Sequence, residues 1–223
     1  MDKQRVCFIT CVNDEALYRR SVSHIDMLHL PRGFSVDKIG IRGAVSMTSG
    51  YNKAMKESDA KYKVYIHQDT MIINRMFLYD LLFLFEHHPK LGMLGVIGAK
   101  ELPINGVWWD SFAKAGKILE NRDTYGYLSF IEADYAYQPV EVIDGVLMAT
   151  QYDLPWEEEF DGWHLYDTTQ SLLFQKAGFE VGIAHQPHPW VLHECGVDFD
   201  QSAYANYIAR FLIWKKNLPK KEG

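Results

Sequence analysis

Arg5-Val-Cys-Phe-Ile-Thr-Cys-Val-Asn-Asp14 is the stretch on which the fold turns. From Arg5 to Val12 it is almost continuously apolar and β-rich, and it stops at the polar pair Asn13-Asp14. That pattern suits a strand covered on both faces, not one with a solvated side. Asn13 or Asp14 can then cap a helix reaching about His29, with Leu17, Val22, Ile25 and Leu28 near helical spacing. Pro31-Arg32-Gly33 turns the chain into a second strand, Phe34 to Ile41, and Gly43 precedes a helix over 44–57. Tyr62 to His67 reads as a third strand ending at Gln68-Asp69. Asn74 to His88 reads as a helix closed by Pro89, and Leu91 to Gly98 as a fourth strand. This alternation predicts right-handed crossovers and a mostly parallel sheet covered by helices.

Residues 99–139 break the pattern with clusters of Gly, Trp, Tyr and Asp, and read as a long loop region or a hairpin insertion. Val140 to Thr150 restores a strand, Asp167 to Ala177 a helix ending at Gly178, and Phe179 to His185 a further strand. Residues 201–217 close the pattern with an amphipathic helix. The expectation is one α/β domain over 1–223, with halves at 5–98 and 99–198 and a helix with a basic tail at 199–223. Tyr204, Ile208, Phe211, Leu212 and Trp214 give that helix an apolar face, followed by Lys215, Lys216, Lys220 and Lys221. Packing on the sheet is the plain role for the face; docking on a membrane surface is the other.

Composition narrows the function. Across 223 residues, 48% are hydrophobic and 23% charged, which excludes disordered and fibrous classes, and a net charge of -6 argues against a nucleic-acid partner. Three cysteines, Cys7, Cys11 and Cys195, are too few to staple a chain this long and read as reduced thiols of a cytoplasmic protein. The first residues run straight into the first strand without a signal-peptide apolar region, and the apolar run Met76–Phe85 is too short to span a bilayer.

In open α/β sheets ligands bind at the carboxyl ends of the strands. Cys11-Val12-Asn13-Asp14, Arg42-Gly43 and His67-Gln68-Asp69 all fall there. A turn or helix cap is the ordinary role of each polar group, but three at one sheet edge point to a site. If His67 and Asp69 belong to an extended segment, positions i and i+2 face the same way and can share one ion, Asp69 suiting Mg²⁺ or Mn²⁺ and the imidazole favouring Mn²⁺. Gln68 then turns inward. A second constellation comprises Asp144-Gly145, Asp161, Trp163-His164, Asp167 and His193. Trp163 and His164 suit stacking on a sugar or base; Asp167, at the start of a helix, has N-capping as its plain role. His185, His188 and His193 do not make a convincing zinc spacing. Trp108-Trp109 reads either as a stacking platform or as packing.

Taken together, these residues resemble family-2-type glycosyltransferases of the GT-A fold, and within them the group related to a streptomycin-biosynthesis protein, typified by Tyr65-Ile-His-Gln-Asp69 and Leu91-Gly-Met-Leu-Gly95. The resemblance places Thr10 to Glu15 at the turn that cradles the base and Asn52 in the helix before the metal strand. It sets His67-Gln68-Asp69 at the D-x-D metal motif, Asp167 at the catalytic carboxylate and His193 at the distal metal ligand. It departs at the end of the second strand, where Arg42 stands in place of an acidic residue and can meet a phosphate.

The resemblance thus implies a metal-dependent, inverting transfer of a sugar from a nucleotide-diphosphate donor to a hydroxyl acceptor, saccharide or lipid-linked. Cys11, Val12, Asn13, Asp14, Arg42, Asn52 and Gln68 would hold the nucleotide, and Asp69, His193 and His67 the divalent cation. Asp167 would be the base, with Asp161 its nearest substitute, and Asp144, Trp163 and His164 would line the sugar and acceptor side. A nucleotide-sugar-binding module without transferase activity is the competing expectation. A nucleotidyltransferase would need a Gly-rich basic loop after the first strand, which is missing from Cys11-Val12-Asn13-Asp14.

Overall fold

In the computed structural model, residues 1–134, 136–196 and 201–218 are described. The first strand, β1 (Asp2–Val12), alternates its side chains between two cores: Val6 and Phe8 enter one, Cys7, Ile9 and Cys11 the other. Both faces are therefore dry, as the unbroken apolar run requires. The chain continues through α1 (Glu15–Asp26), β2 (Ser35–Arg42), α2 (Met47–Glu57) and β3 (Ala60–Ile66). Next come β4 (Thr70–Ile72), α3 (Phe77–His87), β5 (Leu91–Gly95) and β6 (Ile97–Ala99). The expected insertion contributes β7 (Lys114–Asn121), β8 (Tyr125–Ser129) and β9 (Tyr137–Pro139). The last part holds β10 (Val142–Ile143), β11 (Leu147–Thr150), α4 (Tyr166–Lys176), β12 (Glu180–Ala184), β13 (Val191–His193) and α5 (Gln201–Asn217).

Seven strands form the main sheet in the order β2-β1-β3-β11-β5-β12-β9. The pairs β2/β1, β1/β3 and β5/β12 are parallel; β3/β11, β11/β5 and β12/β9 are antiparallel. Five of the seven strands, β2, β1, β3, β5 and β12, therefore run the same way, so the sheet is mostly parallel as expected, with β11 and β9 reversed within it. At the centre β11 inserts against the direction of both its neighbours, β3 and β5.

A second, six-stranded sheet runs β10-β6-β7-β13-β4, with β8 on the other side of β7. It absorbs most of the segment read as a loop or hairpin insertion. The expected fourth strand is in fact two, because the chain changes sheets at Val96, whose carbonyl accepts from Lys117 N at 3.1 Å and Gln186 Nε2 at 2.6 Å. Gly116 makes this crossing possible: its φ is 92°, and a Cβ there would stand 2.1 Å from the Val96 oxygen.

Helices cover the main sheet. α3 buries Phe77, Leu78, Leu81, Leu82, Leu84 and Phe85, each contributing about 1.5–3 kcal/mol when withdrawn fully from water. The helix is shorter than expected; Asn74 lies before it, its side-chain oxygen accepting from Met76 N at 2.9 Å. α5 buries Phe211 and rests Tyr204, Ile208, Leu212 and Trp214 against the core, so its apolar face packs on the protein. Lys220 and Lys221 of the expected basic tail lie outside the described residues. No described helix is long and apolar enough to cross a membrane.

Candidate functional site

The site forms where the two sheets part. β3 leaves the main sheet at Ile66, and His67-Gln68-Asp69 is a turn, closed by Thr70 N donating to the His67 carbonyl at 3.2 Å, that delivers the chain to β4 in the second sheet. His67 and Asp69 thus come together through a turn, not through the extended i, i+2 geometry. β13 pairs with β4 in the register His193 to Thr70, and Glu194 N donates to the Asp69 carbonyl at 2.8 Å. This pairing sets His193 opposite Asp69 from far along the chain.

Asp69 Oδ1 lies 3.3 Å from His193 Nε2 and 4.0 Å from His67 Nδ1. That oxygen is buried and has no well-formed hydrogen bond. Burial works against its charge, yet the contact with His193 and the positive potential of both imidazoles prevail, and the carboxyl sits below its usual range. His67 is pushed down, first by burial, while Asp69 draws His193 up against the effect of burial. His67, Asp69 and His193 each offer one ligand atom, all within 4.8 Å of one another. An under-satisfied carboxylate oxygen between two imidazoles fits a divalent cation. These are the only three such residues so grouped among the described residues.

Asp167 stands across the cleft in the first turn of α4. The structure corrects the expected capping role: Leu165 holds the cap position with φ 61°, a left-handed backbone that costs about 1–3 kcal/mol in a non-glycine residue and turns Tyr166 and Asp167 toward the cleft. Asp167 accepts from Gly145 N at 2.9 Å and Thr168 N at 2.7 Å. Burial and the neighbouring Asp144 outweigh those bonds and push its carboxyl up to about 7. Asp144 is itself anchored, accepting from Trp108 Nε1 at 3.1 Å and Val146 N at 2.8 Å.

Three chambers have lining residues in common. The first, about 480 Å³, is lined by Cys11, Val12, Asn13, His67, Gln68 and Asp69, with Trp163 at its far wall. The second, about 270 Å³, holds Asp144, His164, Asp167 and His193, and shares His67 and Trp163 with the first. The third, about 610 Å³, continues past Asp144 and His193 to Trp108, Trp109, Glu120 and Arg122. Gln68 ties the first chamber together: its Oε1 accepts from Asn13 N and Asp14 N, both at 2.9 Å, and its Nε2 donates to Asn13 Oδ1. Cys11 faces that chamber as a thiol, because burial raises it to about 12.

Four expected site residues have other work. Asp14 caps α1, accepting from Ala16 N at 2.8 Å and Leu17 N at 3.0 Å. Arg42 is held by both carboxylate oxygens of Glu15, at 2.5 and 3.1 Å, and lies over the Tyr18 ring. Asn52 is buried, donating to the Trp156 carbonyl at 2.9 Å and accepting from Trp156 N at 2.8 Å, so it braces a loop. Asp161 is exposed and paired with Arg210 at 2.8 Å, a contact that holds its carboxyl below the usual range. Conversely, the sequence reading missed Arg122 and Tyr166. Tyr166 had a signal, in that it directly precedes Asp167.

The sheet, with its turn into a second sheet, forms an α/β fold that matches GT-A glycosyltransferase structures. A family model described as "Glycosyltransferase like family" matches residues 7–213, and the chain belongs to that family. It is accordingly an enzyme of the glycosyltransferase type. No curated protein matches the chain significantly. Among solved structures, residues 1–349 of S. aureus TarS in complex with UDP are similar at a TM-score of 0.59 and 10% identity, over 98% of this chain and 67% of that one. The longer S. aureus TarS structure gives 0.61 at 10% identity, over 98% of this chain and 40% of its own. The mannosyltransferase PcManGT from Pyrobaculum calidifontis, in complex with GDP-Man and Mn²⁺, gives 0.51 at 12% identity, over 83% and 58%. The chain therefore spans only part of these relatives, and at such identities the likeness is one of fold.

Proposed function

We propose that the chain is a metal-dependent, inverting glycosyltransferase that moves a sugar from a nucleotide-diphosphate donor to a hydroxyl acceptor, a saccharide or a lipid-linked one. The observation that carries this reading is one cleft with two carboxylates tuned in opposite directions, Asp69 down beside imidazoles and Asp167 up to about 7. Complexes of the structural relatives with UDP and GDP-Man support the donor class. The Tyr65-Ile-His-Gln-Asp69 segment supports the streptomycin-biosynthesis-related group, and the three free cysteines a reducing, cytoplasmic compartment.

In this mechanism the first chamber takes the nucleotide along Cys11, Val12, Asn13 and Gln68. Asp69, His193 and His67 would hold the cation, Mn²⁺ suiting two imidazoles better than Mg²⁺. When bound there, a divalent ion offsets the charge that grows on the departing diphosphate. Asp167 takes the proton of the acceptor hydroxyl as that oxygen attacks the anomeric carbon; a carboxyl near 7 is well matched to the task at neutral pH. Trp163 and His164 flank the passage where sugar and acceptor meet, and Asp144 keeps Asp167 basic.

Thermal unfolding with UDP or GDP, with and without Mn²⁺, tests the reading. Stabilisation by a nucleotide diphosphate that requires Mn²⁺ is expected. Absence of stabilisation by either nucleotide, with or without the ion, would overturn the donor class, and binding without any turnover across donors would favour a binding module.

A further inference from the structure

Tyr166 belongs to neither set of groups used above, yet it touches both. Its phenol oxygen is hydrogen-bonded to His67 Nε2, and its residue directly precedes Asp167. The ring is buried and held by Tyr51 at 5.9 Å and Trp156 at 6.2 Å between centroids; Tyr51 and Trp156 are themselves packed on each other and on Tyr65 at 4.8–4.9 Å. Gly145 leaves room for the phenol, since a Cβ there would stand 2.1 Å from the Tyr166 oxygen. The same Gly145 donates its N–H to Asp167. The phenol is therefore placed by three buried neighbours, Tyr51, Trp156 and Gly145, and has little freedom to leave His67.

We propose that Tyr166 is a positioning residue: it accepts the His67 Nε2–H and so fixes the ring in the tautomer whose Nδ1 lone pair faces Asp69, as a cation ligand. A neutral imidazole carries one proton, and whichever nitrogen keeps it cannot bind an ion. His67 Nδ1 is 4.0 Å from Asp69 Oδ1, beyond hydrogen-bond reach, whereas Nε2 is within bonding distance of the phenol. The contact serves either tautomer, and a cation on the Nδ1 lone pair selects the one protonated on Nε2, with the phenol as acceptor. Outer partners that hold a ligating imidazole in this way typically contribute 10–100-fold to metal affinity. The same contact joins the two corners of the cleft, because displacing the phenol disturbs Gly145 and, through it, Asp167.

The inference rests on the cation reading above, and its test separates the two. ¹⁵N NMR of the histidine side chains, with Mg²⁺ added, reads the tautomer directly, and calorimetric titration with Mn²⁺ reads affinity. Wild type is expected to show His67 as the Nε2–H form. Tyr166→Phe should lose that signature and weaken Mn²⁺ roughly 10-fold or more. Gly145→Ala, which leaves the phenol in the chain but takes its space, should do the same, and serves if the Phe variant folds poorly. A wild-type His67 protonated on Nδ1, or variants that keep both tautomer and affinity, would overturn the positioning role. Asp69→Asn is the control: if it and the wild type take up Mn²⁺ equally, the cation site itself is wrong, whatever Tyr166 does.

Discussion

At one corner of the cleft Asp69 is buried between His67 and His193; at the other, Asp167 is buried beside Asp144. Withdrawal from water raises both carboxyls, so burial alone cannot tell them apart. The neighbours decide. Two imidazoles overcome desolvation at Asp69 and keep it ionised, while a second carboxylate adds to desolvation at Asp167 and brings it to about 7. Under the proposed function, one cleft would thus supply a fixed anion for a cation and a titrating group for a proton, the difference being set by what lies within a few ångströms.

Removing the fixed anion should have the largest effect. Asp69→Ala is expected to abolish Mn²⁺-dependent stabilisation by UDP or GDP and to lower turnover about 10³-fold, the upper range for losing one electrostatic stabiliser. Thermal unfolding with and without the ion checks the first, steady-state kinetics the second. Equal stabilisation of mutant and wild type would put the cation elsewhere.

Asp167→Asn comes next, with turnover down about 10²-fold and nucleotide binding retained. Its pH signature is separate. A carboxyl raised in the folded state binds a proton that the unfolded chain releases, so its contribution to stability is present below about pH 4 and is lost as pH rises through about 7. The Asn variant should flatten that part of the stability profile between pH 4 and 7. In the wild type kcat/KM should climb with pH around 7 as Asp167 ionises. A profile flat across that range would remove Asp167 as the base.

Asp144→Asn sharpens the contrast by deleting the charge that helps raise Asp167. The rising limb of kcat/KM should move toward lower pH by about one unit, corresponding to about 1.4 kcal/mol of differential interaction. The smallest catalytic effect belongs to Asn52→Ala. It leaves the Trp156 backbone without partners and should cost about 1–3 kcal/mol in denaturant unfolding, with KM for the donor unchanged. A raised KM with normal stability would return Asn52 to the nucleotide site.

What the sequence made legible was position: Asn13, Gln68 and Asp69 stand just past strand ends, and the structure gathers Asp69, Asp167 and His193 around one cleft. Strand ends show as breaks in apolar runs, and a polar group there has few alternatives. Arg42 and Asp161 have charged partners that the sequence reading did not anticipate, whereas the cap formed by Asp14 was expected. Glu15 is 27 residues from Arg42, and Arg210 is 49 from Asp161, separations no local pattern reveals. The reversed direction of β11 was hidden for a related reason, since a short run such as Leu147–Thr150 carries no mark of its direction. Tyr166 escaped notice because a buried aromatic ordinarily signals packing, and its hydroxyl matters only once His67 is seen beside it.

The antiparallel pairing of β4 with β13 also has a kinetic side. Asp69 and His193 lie more than half the chain apart in sequence, so their meeting closes one of the longest loops in the molecule, and contacts of that separation are slow to form. During synthesis a chain that has emerged only as far as α3 already carries His67 and Asp69 but has no β13 to set beside them. An ion with affinity for the three-residue set would stabilise the completed fold and leave such partial chains untouched. Mn²⁺ uptake during refolding would therefore lag secondary-structure formation and mark the moment at which the carboxy-terminal part docks.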